Sequence, residues 1–142
     1  MFTYKKIINN LIEKNITISV AESCTGGQLS KLLTDIPRIS KIFNMGLITY
    51  SNKSKKILLN IPLNILKKHG AVSQKTAKLM CLNLYKISKS RLCISTTGIA
   101  GPSGGSKIKP VGLVYIGIIF NKKKFIYKKK FKGSRKKIQK DT

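Results

Sequence analysis

Apolar residues at Ile7, Ile8, Leu11 and Ile12 recur at helical spacing and predict a helix over residues 4–14. The β-branched run Ile16-Thr17-Ile18-Ser19-Val20 switches the period and predicts a strand over 16–21. Leu29, Leu32, Leu33 and Ile36 return to helical spacing, so a helix is expected from about 25 to 36, stopped by Pro37. Residues 46–50 read as a second strand, and Ser51-Asn52 offer a cap to a helix carrying Lys55, Ile57, Leu58 and Leu59. Pro62 opens a further helical turn that ends at His69-Gly70. Ser73 caps an amphipathic helix with Ala77, Met80, Cys81, Leu84 and Ile87 on one face. A third strand is expected at 91–97. Two more, at 111–120 and 124–131, flank Asn121-Lys122-Lys123 as a hairpin on a sheet edge blunted by lysine. A basic stretch from Gly133 reads as a terminal helix. Strands alternating with helices imply a layered α/β domain, and the hairpin implies a mixed sheet.

Length and charge narrow the class. At 142 residues the chain reads as one domain, 1–142, long enough to bury a core without staples. No apolar run reaches the ~18 residues of a membrane span, and no leader is expected. The cysteines Cys24, Cys81 and Cys93 are three in number and irregularly spaced, which suits a reducing cytoplasm and gives no zinc pattern. The net charge of +25 suggests a polyanion partner. All but three of the basic residues are lysine, however, and they are scattered over the chain, whereas base readers favour arginine. With isoleucine and asparagine also abundant, the charge reads as drift in an AT-rich genome. A non-specific RNA or membrane-surface binder is one competing reading, and an inactive descendant that keeps an enzyme's fold is another.

Two loops carry candidate chemistry. In Glu22-Ser23-Cys24-Thr25-Gly26-Gly27 a hydroxyl sits between a strand and a helix, where helix N–H groups favour an anion. Ser23 is a nucleophile, a helix cap or a phosphate ligand. His69 is the one histidine and reads as a helix-terminal residue, so a nucleophilic serine needs another base. A neutral lysine can serve. Lys55, early in its helix and flanked by Lys53 and Lys56, is the candidate. Tyr50 either orients a group or packs on the core. Cys24 is a rival nucleophile, and its N–H with that of Thr25 is a candidate oxyanion hole. The loop Thr97-Gly98-Ile99-Ala100-Gly101-Pro102-Ser103-Gly104-Gly105-Ser106 matches no nucleotide fingerprint, yet it has the composition of a phosphate cradle. Only four acids are present, Glu13, Glu22, Asp35 and Asp141, so Glu22 beside Ser23 is not read as idle.

These blocks, with Thr49-Tyr50-Ser51-Asn52, His69-Gly70-Ala71-Val72-Ser73 and Lys109-Pro110-Val111-Gly112, occur in an order that resembles the CinA C-terminal domain family of nicotinamide-nucleotide amidases. The resemblance covers nearly the whole chain. It implies a three-layer α/β/α fold with a mixed, mostly parallel sheet ending in an antiparallel hairpin. It also implies hydrolysis of the carboxamide of nicotinamide mononucleotide, in pyridine nucleotide recycling, with no metal and no cofactor. Ser23 then corresponds to the nucleophile and Lys55 to its base. Glu22, Cys24, Thr25, Gly26, Gly27, Tyr50, Asn52, Thr97, Gly98, Gly101, Gly104, Gly105 and Arg135 would contact the substrate. Among these, Tyr50, Asn52 and Thr97 lie around ring and ribose, and the glycine loop with Arg135 lies around phosphate. A homodimer is also implied. Two departures stand out: Ser103 replaces a glycine common in the family, and relatives extend further beyond Arg135. Larger relatives carry an additional N-terminal domain to which nothing here corresponds.

Overall fold

The computed structural model describes residues 3–142. Five strands form one sheet: β1 (Ile18–Glu22), β2 (Phe43–Ile48), β3 (Leu92–Gly98), β4 (Leu113–Phe120) and β5 (Lys123–Lys130), in the order β2-β1-β3-β4-β5. β1 pairs parallel with β2 and β3, whereas β4 runs antiparallel to both β3 and β5. Four strands therefore point one way and β4 returns. The sheet is mixed and mostly parallel in direction, with the hairpin at its end.

Helices cover both faces. Side chains alternate along β1, so Ile18 and Val20 face one layer and Ala21 the other. On the first face, α1 (Tyr4–Glu13) and α2 (Gln28–Thr34) seat Ile12 and Leu33 on Ile18, Val20 and Ile42. Further along that face, α6 (Arg135–Asp141) seats Ile138 against Val114 and Cys24. On the opposite face, α3 (Asn52–Leu59), α4 (Leu63–His69) and α5 (Gln74–Ser88) bring Leu59, Leu66, Met80, Cys81 and Leu84 onto Ala21, Cys93 and Ile119. A single 3-10 turn, Ile39–Lys41, links α2 to β2.

Two boundaries and one face assignment depart most from the pattern-based expectation. The helix expected from about 25 starts at Gln28, because Gly26 and Gly27 adopt left-handed backbone and the chain turns before it coils. β2 starts and ends earlier than 46–50, since Thr49 already bends toward Glu22, donating its N–H to the Glu22 carbonyl at 2.7 Å. Ile87, assigned to the buried face of α5, is instead half exposed near the helix end.

Candidate active site

β1 ends beside β3, and the Ser23 N–H donates to the Thr96 carbonyl at 3.0 Å, which fixes Ser23 at the carboxyl end of the sheet. This is where open α/β sheets place ligands. Beyond Ser23 the chain doubles back. The Gly26 N–H donates to the Ser23 carbonyl at 3.1 Å, and Gly27 sits at φ +102°, a backbone state that glycine adopts without strain.

Glu22 holds this turn from beneath. Its carboxylate is fully buried and accepts from the N–H groups of Gly27 (3.0 Å), Leu29 (3.1 Å) and Ser30 (2.7 Å) and from the Ser30 and Thr25 hydroxyls. The amides at the start of α2 therefore do hold an anion, but it is the chain's own carboxylate. Thr25 is also buried and bonds the Thr96 hydroxyl at 2.9 Å. Glu22, Thr25 and Gly27 thus build the frame under Ser23, with the carboxylate, the Thr25 hydroxyl and the Gly27 N–H spent on one another and on Thr96.

Lys55 comes from the opposite layer. Ser51 caps α3 reciprocally with Ser54, the Ser54 N–H donating to Ser51 Oγ at 3.0 Å. This sets the phase of the helix so that Lys55 and Leu59, one turn apart, both point inward. Lys55 is 0% exposed, and its Nζ lies 2.9 Å from Ser23 Oγ. The same nitrogen donates to the carbonyls of Thr49 at 2.6 Å and Tyr50 at 3.3 Å. No carboxylate pairs with it. Burial disfavours the ammonium and brings the Lys55 pKa from 10.5 down to about 8. Nζ thus faces three oxygens, donating to Ser23 Oγ and to both carbonyls; after losing one proton it can keep the two carbonyl bonds and turn a lone pair to Ser23.

Cys24 is adjacent but different in kind. Its side chain packs with Ala100, Val114 and Ile138, and burial pushes its thiol up to about 11, so the thiolate is scarce at neutral pH. Its carbonyl accepts from Gln139 Nε2 at 3.0 Å, which ties α6 to the turn. Among the described residues the N–H groups of Cys24 and Thr25 donate to no backbone carbonyl.

A cleft of about 240 Å³ opens above Ser23, lined by Ser23, Cys24, Tyr50, Thr97, Gly98, Gly101, Gly104 and Arg135 and also by Ala71, Val72, Ile99, Ala100 and Ser103. Arg135 spans its mouth, donating to the Gly101 carbonyl at 2.7 Å and the Tyr50 hydroxyl at 2.6 Å. Gly101 is at φ +76°, and a Cβ there would lie 2.5 Å from Val111 Cγ1, so this bend requires glycine. Thr97 donates its hydroxyl to the Ala71 carbonyl at 2.7 Å, joining the glycine loop to the segment before α5. His69 ends α4, and its carbonyl accepts from Lys109 Nζ at 2.7 Å.

Of the residues singled out from the sequence, Glu22, Thr25, Gly26, Gly27, Asn52 and Gly105 do not line the cleft. Asn52 is exposed in the first turn of α3, and Gly105 turns its α-carbon to the main chain of Val111. Ala71, Val72 and the carbonyls of Thr49 and Tyr50 belong to the site without having been singled out. The first two have no polar side chain, and main-chain acceptors leave no mark in a sequence. Among the described residues no group of His, Cys, Asp and Glu is arranged to hold a metal, and no helix is long and apolar enough to cross a membrane.

Known proteins are similar to this chain in sequence and in fold. The chain is 49% identical over 133 residues to a competence-damage inducible protein of Caldanaerobacter subterraneus, covering 94% of this chain and 32% of the relative. It is 49% identical over 132 residues to a CinA-like protein of Endomicrobium trichonymphae, covering 93% of this chain and 31% of that one. The chain thus spans about a third of the length of the curated relatives it matches. Among solved structures, the competence/damage inducible protein CihA of Agrobacterium tumefaciens superposes with a TM-score of 0.91 at 34% identity, over 95% of this chain and 83% of that one. A CinA superfamily protein of Escherichia coli superposes at 0.89 and 26% identity, over 96% and 82%. The model of the CinA C-terminal domain matches residues 2–142. By sequence and by fold, this chain belongs to the CinA C-terminal domain family.

Proposed function

We propose that the chain is a nicotinamide-nucleotide amidase that hydrolyses the carboxamide of nicotinamide mononucleotide to nicotinate mononucleotide and ammonia. The observation that carries this reading is the fully buried Lys55 amine, 2.9 Å from Ser23 Oγ and without a carboxylate partner. A solvated lysine is protonated at neutral pH and cannot take a proton; this one, with its pKa near 8, is neutral in about a tenth of molecules at pH 7.

In the proposed reaction Ser23 Oγ attacks the amide carbon while its proton passes to Lys55 Nζ. The N–H groups of Cys24 and Thr25 receive the negative charge that develops on the carbonyl oxygen. The tetrahedral intermediate collapses as Lys55 returns the proton to the departing nitrogen, releasing ammonia and leaving an acyl ester on Ser23. Water, deprotonated by the same amine, cleaves the ester and restores Ser23. Tyr50 and Thr97 flank the ring and ribose. The loop holding Gly98, Gly101 and Gly104 receives the phosphate, with the Arg135 guanidinium at the cleft mouth supplying positive charge. No step calls for a metal or cofactor. As part of this reading, the enzyme works in the cytoplasm as a homodimer.

The test is ammonia release from nicotinamide mononucleotide, run beside free nicotinamide. The expected result is turnover of the nucleotide well above that of free nicotinamide, abolished by Ser23→Ala. Undiminished turnover by Ser23→Ala would remove the mechanism. Absence of turnover on either compound by the intact chain would remove the activity.

A further inference from the structure

Antiparallel strands with one covered face alternate apolar and polar residues. β5 does not, since Phe125, Ile126 and Tyr127 run together between lysines, and its two faces meet different surroundings. Ile126 and the even-numbered lysines lie with Ile119, Gly117 and Tyr115, on the side that α5 covers. The odd-numbered positions, Lys123, Phe125, Tyr127 and Lys129, lie over Phe120, Ile118, Ile116 and Val114 on the other side. There α6 reaches Val114 and Ile116 and stops. Phe125 and Tyr127 remain 41% and 45% exposed, next to each other on one face and bracketed by lysines. At the end of the strand Lys107, Lys128, Lys129 and Lys130 border a groove, and Ile108 beside them is 88% exposed. None of the four acids lies on β4, β5 or the loop before β4.

Two flat rings at adjacent positions on an open sheet face, between cations and with no carboxylate on either strand of the hairpin, suit a ligand that alternates flat apolar groups with negative charge. A single-stranded polynucleotide has that pattern: bases stack on aromatic rings and phosphates lie along lysines. The uniform positive sign of this surface works against a second copy of the chain. We infer that the outer face of the β4–β5 hairpin is a binding platform for single-stranded nucleic acid, with Phe125 and Tyr127 as stacking residues and Lys123 and Lys129 as phosphate contacts. Recognition here is without base-edge readout, since the only side chains offered are rings and lysines. The platform is separate from the Ser23 cleft and does not depend on the amidase reading.

The test is fluorescence anisotropy of the full chain with labelled oligouridylate and oligothymidylate of about 15 nucleotides, a length that spans one such face. A blunt duplex of equal charge and anionic phospholipid vesicles serve as comparisons. Both single strands should bind, more tightly than the duplex, with affinity falling on the order of tenfold or more between roughly 50 and 200 mM salt. Phe125→Leu with Tyr127→Leu keeps the charge and the apolar bulk but removes the rings, and should weaken binding about tenfold or more. The Lys67→Gln, Lys68→Gln pair on α4 removes two charges elsewhere and should weaken it far less. Because the chain contains no tryptophan, Tyr127→Trp supplies a single reporter whose emission should be quenched by the oligonucleotide. Equal loss in the ring and charge variants, equal affinity for duplex, binding to vesicles alone, or an unquenched tryptophan in a folded variant would each overturn the proposal.

Discussion

The lysine at position 55 and those of β5 are the same side chain in opposite surroundings. Lys55 is enclosed between α3 and the turn after β1, has only carbonyls and a hydroxyl for neighbours, and has a pKa depressed to about 8. The lysines of β5 stand in water along a sheet edge. Burial removes the hydration that stabilises an ammonium, and no nearby carboxylate replaces it, so Lys55 gives up its proton more readily than a hydrated lysine. In a chain with a net charge of +25, position in the fold rather than residue type separates a reactive group from a solubilising one.

The largest effect expected from this contrast is on catalysis. Lys55→Met preserves length and burial but has no basic nitrogen; amide hydrolysis should fall by about 10²–10⁴. Its thermal midpoint should change little, since the desolvation cost removed with the amine offsets the donors withdrawn from the Thr49 and Tyr50 carbonyls. A midpoint lowered as much as activity would make Lys55 a structural residue. Lysine-to-glutamine changes along β5 should leave turnover within about twofold, given the usual smallness of surface effects.

The pH dependence sharpens the same point. If Lys55 is the base, kcat/KM should rise about tenfold per pH unit up to about 8 and then level off. Stability follows the same proton. The pKa is 10.5 when the chain is unfolded and about 8 when folded, so between those values the unfolded chain binds more protons and stability rises with pH. Lys55→Met should flatten that part of the curve, as measured by denaturant midpoints at several pH values.

Glu22 tests the frame. In Glu22→Gln the side-chain amide cannot accept from all the donors that now converge on the carboxylate, and a buried donor is left unmet. The loss should be about 2–3 kcal/mol of stability in urea titration. Activity should fall more than this loss of folded protein explains, because the turn that carries Ser23 loses its support. A smaller effect is expected at Cys24: at pH 7 its thiol should resist iodoacetamide by mass spectrometry, because its pKa is about 11. Rapid alkylation would contradict the packing of its side chain with Ala100, Val114 and Ile138.

Much of the frame was legible from local pattern. The β-branched run at Ile16 to Val20, the stripe of α5 and the Ser51 and Ser73 caps each encode an element through short-range sterics and hydrogen bonding, and they appear where expected. The glycine turn of β1–α2 was visible too, though its glycines delay the helix rather than start it. Motif order sufficed to suggest Ser23 with Lys55, and the flanking loops as one site.

What local pattern could not supply was the assignment of polar groups to partners. Glu22 stood beside Ser23 in sequence and was expected at the substrate, yet it is consumed by the amides of α2. Ala71 and Val72 entered the cleft unannounced because Thr97 pulls their segment in. Spacing along the chain determines periodic faces, turns and caps, since these depend on neighbours a few residues away. Desolvation depends on every atom within several ångströms, and those atoms come from distant segments. The lowered pKa of Lys55, the dormancy of Cys24 and the open face of β5 are therefore properties that only the packed layers decide.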